Sequence, residues 1–458
     1  MTQATEQDGR APVVIVGAGF SGLSAAYELA RKNIPTVLID PDTEVGGLAG
    51  SFDVDGVPLE KFYHHWFRSD VDIHRLVAEL GAEDNIVYRP TVTGMYHAKS
   101  FYRLSGPLDV LRFSALSFID RIRLGLLVLK ARKVTDWREL ESRTAKEWLI
   151  ELGGPEVYRV VWEPLLKGKF GEYAEQVSAV WFWNKLVLRG GSRGKGHKEE
   201  LAYYRGGFAA LAQQVRETIE DNGGTFRLGR SVTGFVREGD RVSGVTLDNG
   251  ERIEAAEVIV TTATPIASGL LDGHVPADYL ERMDRIEYLA NICLVLQLDR
   301  SLSDTYWLNV ADPSFPFVGI IEHTCFEPPE SYGGRHIVYL SKYLPPTAEL
   351  YRMDDADVLD FALPHVQRMF PAFDRSWIRD HHVWRARYAQ PVVCKHYSEI
   401  MPPMQTPLEN VSLATMAQVY PEDRGTNYAV RMGREAGKMV AERLERHPAI
   451  RPEASRAV

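Results

Sequence analysis

The chain of 458 residues is long enough for two or three domains, and its 45% hydrophobic and 25% charged residues exclude a disordered or fibrous protein. A net charge of −9 argues against a general nucleic-acid binder, which carries an excess of Lys and Arg. Cys293, Cys325 and Cys394 are scattered without a CxxC pair, so no metal site or disulfide framework is expected and a reducing compartment fits.

In chain order, residues 1–11 are polar and lack the apolar core of a secretory signal. They read as a tail, and the location as cytoplasmic. No apolar run approaches the roughly 20 residues of a membrane span. Val13 to Val16 then form a continuous β-branched run, the pattern of a strand buried on both faces of a parallel sheet. The turn Gly17-Ala18-Gly19-Phe20-Ser21-Gly22 has G-x-G-x-x-G spacing. Its first glycine permits the tight turn, the second lets backbone approach a pyrophosphate, and the third lets helix pack on strand. An amphipathic helix through Leu23, Ala26, Leu29 and Ala30 follows, then a second strand ending at Asp40, before Pro41. A carboxylate there can accept from both ribose hydroxyls of an adenosine. This much predicts a dinucleotide site and is met equally by NAD and FAD.

The doublet Gly46-Gly47, with Leu48 and Ala49 after it, separates the two. Here the sequence resembles the FAD-binding superfamily of amine oxidases, phytoene desaturases and protoporphyrinogen oxidases, whose signature runs from the ribose acid into such a doublet. The resemblance implies FAD as cofactor. It implies an α/β fold: a Rossmann-like FAD-binding domain with a β-meander, plus a mixed α+β substrate domain. Many members carry an arginine after the doublet; here Leu48 occupies that slot, with Ser51 nearby.

Residues 57–70, VPLEKFYHHWFRSD, follow where the resemblance places the isoalloxazine. His64 and His65 sit among Tyr63, Trp66 and Phe67. A structural histidine and a role beside flavin or substrate both fit; a metal pair has poor geometry. In an extended segment one would face inward and the other out. A helix is then expected, capped by Ser69, with Ile73, Leu76, Val77 and Leu80 inward and Gly81 as its stop. The short basic stretch 122–133, IRLGLLVLKARK, either packs in a domain or touches a membrane as a peripheral surface.

Residues 90–204 and 290–404 would form the substrate domain, with Trp162, Trp181, Trp183, Trp384 and Tyr388 as candidate walls of an apolar tunnel. The glycine-rich basic loop 189–200 either is solvated or receives a substrate phosphate or carboxylate through Arg193 or Lys195. A helix with Phe208, Leu211, Val215 and Ile219 on one face precedes a β-meander that returns to the buried strand VIVTT. The resemblance places adenine contacts at Val232 and cofactor contacts at Thr261. The segment RARYAQP resembles the stretch that approaches flavin late in the substrate domain, which makes Arg387 and Tyr388 catalytic candidates beside His64 and His65.

Near the end, Ala429, Gly433, Ala436, Gly437 and Val440 form a stripe of small residues that lets a helix sit close to its neighbour. The family closes its FAD site with a glycine-acid motif before such a helix. That role falls here to Asp423, Arg424, Gly425, Thr426 and Asn427, backbone N–H groups supplying anion stabilisation. The FAD domain would comprise 12–89, 205–289 and 405–445, with 446–458 as a tail. The expected function is an FAD-dependent oxidoreductase removing hydride from a small organic, isoprenoid-like or secondary-metabolite substrate. Dioxygen or a quinone would serve as electron acceptor. The alternative is a non-redox flavoenzyme like the UDP-galactopyranose mutases; a non-catalytic flavin- or NAD-binding module is a third reading. Oligomeric state is not legible.

Overall fold

The structure is a computed structural model that describes residues 11–103, 107–191 and 200–447. Most of both tails and the core of the 189–200 loop, with Arg193 and Lys195, lie outside the described residues.

A five-stranded, wholly parallel sheet runs in the order Thr225–Leu228, Thr36–Asp40, Val13–Val16, Glu257–Val260, Val411–Leu413. Successive residues of Val13–Val16 point to opposite faces. Val13 and Ile15 pack under the helices Phe20–Ala30, Gly207–Asp221 and Thr426–Arg446, whereas Val14 and Val16 meet the antiparallel meander Val232–Glu238, Arg241–Leu247, Arg252–Glu254. The sequence reading merges 225–228 into that meander. In the structure Thr225–Leu228 instead pairs in parallel with Thr36–Asp40, because Gly229 breaks the run at a φ of +69°.

A seven-stranded sheet forms the second unit, in the order Ile378–Pro391, Tyr288–Leu298, His336–Leu344, Gly319–Glu322, Trp307–Val310, Thr93–His97, Ser100–Arg103. It is antiparallel except where Trp307–Val310 pairs with Thr93–His97. Ile292, Leu294 and Leu340 pack under the helix Asp355–Met369. Cys293, Val295 and Tyr339, on the opposite face, share a core with the parallel sheet's helices. The helices Phe118–Ala131, Ala145–Gly153, Glu163–Phe170 and Ala179–Gly191 gather round a third core as a helical cap.

The small-residue stripe of Thr426–Arg446 packs on the glycine-turn helix Phe20–Ala30. A Cβ at Gly433 would stand 2.0 Å from the Ser21 carbonyl oxygen, and one at Gly437 2.7 Å from that of Ala25. Arg434, on this buried surface, bridges Glu28 at 2.5 Å and Glu79 at 2.9 Å. The helix Val71–Glu79 is not capped by Ser69. Asp70 is its N-cap residue but spends its carboxylate on the Phe67 N–H at 2.8 Å, and the Asn427 side-chain oxygen accepts from the N–H groups of Asp72 and Ile73 at 2.9 and 3.0 Å.

Candidate active site

The strand–turn–helix is held in its tight form by the glycines. Gly17 has a φ of +110°, and a Cβ on Gly22 would stand 1.9 Å from the Gly17 carbonyl oxygen. Thr261 closes the turn from the next strand, its hydroxyl donating to the Val16 carbonyl at 2.9 Å. The Ser21 hydroxyl donates to the Ala414 carbonyl at 2.8 Å, and Phe20 is buried. The glycine doublet lies against the turn: the Gly46 N–H donates to the Ala18 carbonyl at 2.9 Å, and Gly47–Ala49 form a single 3₁₀ turn. Buried Asp40 accepts from the N–H groups of Ala18 and Asp42 at 2.7 and 2.9 Å. Burial raises its pKa against these two bonds. Pro41 is exposed next to it. The Arg230 N–H donates to the Asp40 carbonyl at 3.0 Å, which brings the start of Val232–Glu238 to the same edge.

One cavity of about 420 Å³ joins this side to the second unit. Leu48, Asp423, Arg424, Gly425, Thr426 and Asn427 line it from the parallel-sheet unit. Tyr306, Trp307, Asn309, Tyr343, Ala386 and Ala389 line it from the seven-stranded sheet. The helical cap adds Trp162, Lys169, Trp181 and Lys185. Both helices that meet the cofactor side, Phe20–Ala30 and Thr426–Arg446, begin at a glycine without a side-chain cap. Their first N–H groups are thus left for other acceptors.

His64 and His65 both line the cavity, so the expected in–out alternation does not hold; 61–65 is not a regular strand. The rings diverge instead. His64 leans on Phe208, its Nδ1 2.6 Å from the Phe62 carbonyl oxygen, and burial aided by the Arg424 charge pulls its pKa down to about 4. His65 turns towards Tyr306, its Nδ1 2.9 Å from the phenol oxygen. The Trp66 indole donates to the Thr426 hydroxyl at 3.2 Å, which ties this segment to the closing helix.

Arg387 and Tyr388 are not brought to the cavity. A β-bulge between Ala386 and Gln390 breaks the strand's alternation and turns both Ala386 and Ala389 inward. Arg387 is exposed over the Tyr388 ring, which packs on Tyr288. Of the candidate tunnel walls, Trp162 and Trp181 reach the cavity. Trp183 donates to the Ala131 carbonyl at 3.0 Å, and Trp384 lies tilted against Phe52 and parallel to His382.

The residues that sequence reasoning missed are the lysines. Asp423 is buried and meets Lys185 at 2.5 Å and Lys169 at 3.6 Å, while the Gln390 side-chain amide donates to it at 3.1 Å. Burial would raise the Asp423 pKa. The charges of Lys185, Lys169 and Arg424 outweigh burial and hold it well below the usual carboxylate range. Lys169 is pulled down to about 7 by burial, with Lys185 and Arg424 adding to the effect and Asp423 opposing it. Arg424 donates to the Tyr343 hydroxyl at 2.6 Å, while its Nε and the Asn291 side-chain oxygen, both buried, have no partner among the described residues. The signal was present: Lys185 interrupts the apolar run AVWFWNKLVL, and a lysine on an apolar helix face must find a counter-charge or a cavity.

A doubly covered parallel sheet with a glycine turn, a closing helix and an aromatic cavity beneath a second sheet defines a two-unit dinucleotide-dependent enzyme. The model of the flavin containing amine oxidoreductase family matches residues 20–443, and the chain belongs to that family. It is an FAD-dependent oxidoreductase of α/β fold, as the resemblance implied. The chain is 26% identical over 322 residues to coproporphyrinogen III oxidase of Bacillus subtilis (strain 168), covering 63% of this chain and 67% of that one. It is 24% identical over 396 residues to a 15-cis-phytoene desaturase of an Oncidium hybrid cultivar, covering 78% of this chain and 64% of that one. Thus about two thirds of each relative's length is spanned. A reduced UDP-galactopyranose mutase shares the fold, with a TM-score of 0.74 and 15% identity over 96% of this chain and 97% of that one. Among the described residues no cluster of metal-ligating side chains occurs and no helix is long and apolar enough to cross a membrane.

Proposed function

We infer that this chain oxidises a small organic substrate bearing an anionic group, with that group held at Lys169 and Lys185. The carrying observation is the charge balance of the cavity: three cations, Lys169, Lys185 and Arg424, face two carboxylates, Asp423 and an Asp70 whose pKa burial raises to about 6, within largely apolar walls. In a poorly hydrated site such an excess of donors favours a carboxylate or phosphate.

The cofactor part would take the segments 12–89, 205–289 and 405–445, and the substrate part 90–204 and 290–404. The glycine turn with Ala18, Ser21 and Thr261 would hold the FAD pyrophosphate, Asp40 and the Val232 backbone the adenosine, and the doublet with Leu48, Ala49 and 423–427 the flavin end. The residues fit. At its second glycine, Gly19, the turn meets only the backbone of Gly46 and Gly47, and Asp40 keeps lone pairs beyond the two it shares with backbone. Bound FAD supplies the two-electron acceptor for a hydride leaving a substrate C–H bond. The chain's own groups do the rest. The lysines orient the substrate's charged end, the Asn291 side-chain oxygen accepts a hydrogen bond, and Trp162 and Trp181 exclude water. His64, held neutral, can accept or donate but carries no fixed charge. Dioxygen or a quinone would reoxidise the cofactor.

The test is anaerobic reduction of the purified yellow protein, followed at the flavin absorbance band. Acidic substrates should bleach it, and their amide or methyl-ester analogues should do so at least about tenfold more slowly. Preference for neutral or amine substrates would overturn the anionic reading. Turnover only with pre-reduced protein and without net electron transfer would select the mutase reading.

A further inference from the structure

Of the large apolar side chains exposed among the described residues, half lie between Leu111 and Leu129. The helix Phe118–Ala131 presents Phe118, Ile119, Ile122, Leu126 and Leu129 to solvent, at 64%, 63%, 44%, 46% and 56% exposure. Their spacing places them along one face. The opposite face, with Leu124, Leu127 and Ala131, is buried in the helical cap. Such an exposed apolar ridge is rare on a surface with no partner.

Charge distinguishes the partner. The stretch 107–133 has six basic and two acidic residues in a chain of net charge −9. One of the acids, Asp120, is buried and bonded to Ser117 and Arg123. Lys130, Arg132 and Lys133 stand exposed at the helix end, and Arg112 beside its start. A second copy meeting this face through a two-fold axis would set the basic groups against one another. An apolar ridge flanked by lysine and arginine matches the headgroup boundary of an anionic bilayer, with the helix lying flat.

The geometry points to Phe118–Ala131 as a membrane-docking helix that seats the protein on an anionic lipid surface. The seat adjoins the reaction chamber. Trp183 bonds to the last turn of this helix, and its chain neighbour Phe182 lines the cavity.

The experiment is co-sedimentation of the full-length flavoprotein with phosphatidylcholine vesicles, with and without phosphatidylglycerol. Binding is expected to phosphatidylglycerol vesicles and to weaken with salt. The double variant Ile122→Glu/Leu126→Glu should lower it at least about tenfold while flavin content and thermal midpoint stay unchanged. Lys130→Ser/Lys133→Ser should remove the preference for phosphatidylglycerol. Sedimentation with neither vesicle, or equal binding by the variants, would overturn the proposal. So would a dimer in lipid-free buffer that the Glu variants dissociate, since it would assign the ridge to self-association.

Discussion

Lys169 changes charge near neutrality because it is surrounded by aromatic rings and shares Asp423 with a second lysine. Its ammonium form prevails below about pH 7 and is lost above it. An acidic substrate should therefore bind with a KM that rises as pH climbs through about 7, the ionisation of Asp70 near 6 adding a smaller rise below it. Lys169→Met should raise KM about tenfold or more at pH 6 and flatten the profile around pH 7. A retained inflection there in the variant would assign the titration elsewhere. His64 should contribute no inflection between pH 5.5 and 7, since it is already neutral there. At the far side of the fold Arg434 illustrates a structural charge. Arg434→Met would leave buried Glu28 with only the exposed Arg31, 4.0 Å away, and should cost about 3–5 kcal/mol in urea unfolding. Adding Glu28→Gln should restore part of that loss. None of these pairings is legible from spacing: Lys169 and Asp423, or Asn427 and the helix it caps, meet only because the chain returns after hundreds of residues.

At the scale of elements the sequence was far more readable, for a physical reason. A buried parallel strand, a glycine turn and a small-residue helix stripe each impose a local composition, so Val13–Val16, the turn after it and Thr426–Arg446 could be recognised one at a time. What failed was orientation within elements. The bend at 61–62 let both histidines face the cavity, and a β-bulge at 386–390 left Arg387 and Tyr388 outside it. The helix pair Phe20–Ala30 and Thr426–Arg446 gives a test at this scale. Gly433→Ala would drive a methyl group into the Ser21 carbonyl and force the helices apart. It should destabilise the protein by about 1–3 kcal/mol, read from the denaturant midpoint, and release flavin on gel filtration. Gly269→Ala, in the helix Thr264–Leu271 of the same unit, would meet no atom within 4 Å and serves as the control.

For the molecule as a whole, the cavity belongs to neither unit alone: its walls come from the parallel-sheet side, the seven-stranded sheet and the helical cap together. A cofactor spanning that junction binds the native chain and not the unfolded one. At a hundredfold excess over Kd it should add about 2.7 kcal/mol. The flavin-stripped protein should accordingly melt several degrees lower in differential scanning fluorimetry and recover on adding FAD. Identical midpoints with and without FAD would sink the spanning arrangement. Sequence composition could announce two units but not this shared chamber, because its walls are drawn from segments with no common pattern.

The last strand and last helix of the parallel-sheet unit come from the final segment of the chain, Val411–Leu413 and Thr426–Arg446, yet they complete a surface begun at Phe20–Ala30. On a ribosome making about 5–20 residues per second, roughly 20–80 s separate the two halves of that contact. Throughout that interval the face of the glycine-turn helix that Thr426–Arg446 covers has no native partner. The newborn polypeptide is therefore a natural client for holding chaperones, and a premature stop before Thr426 should send it to aggregation or proteolysis rather than to a shortened enzyme.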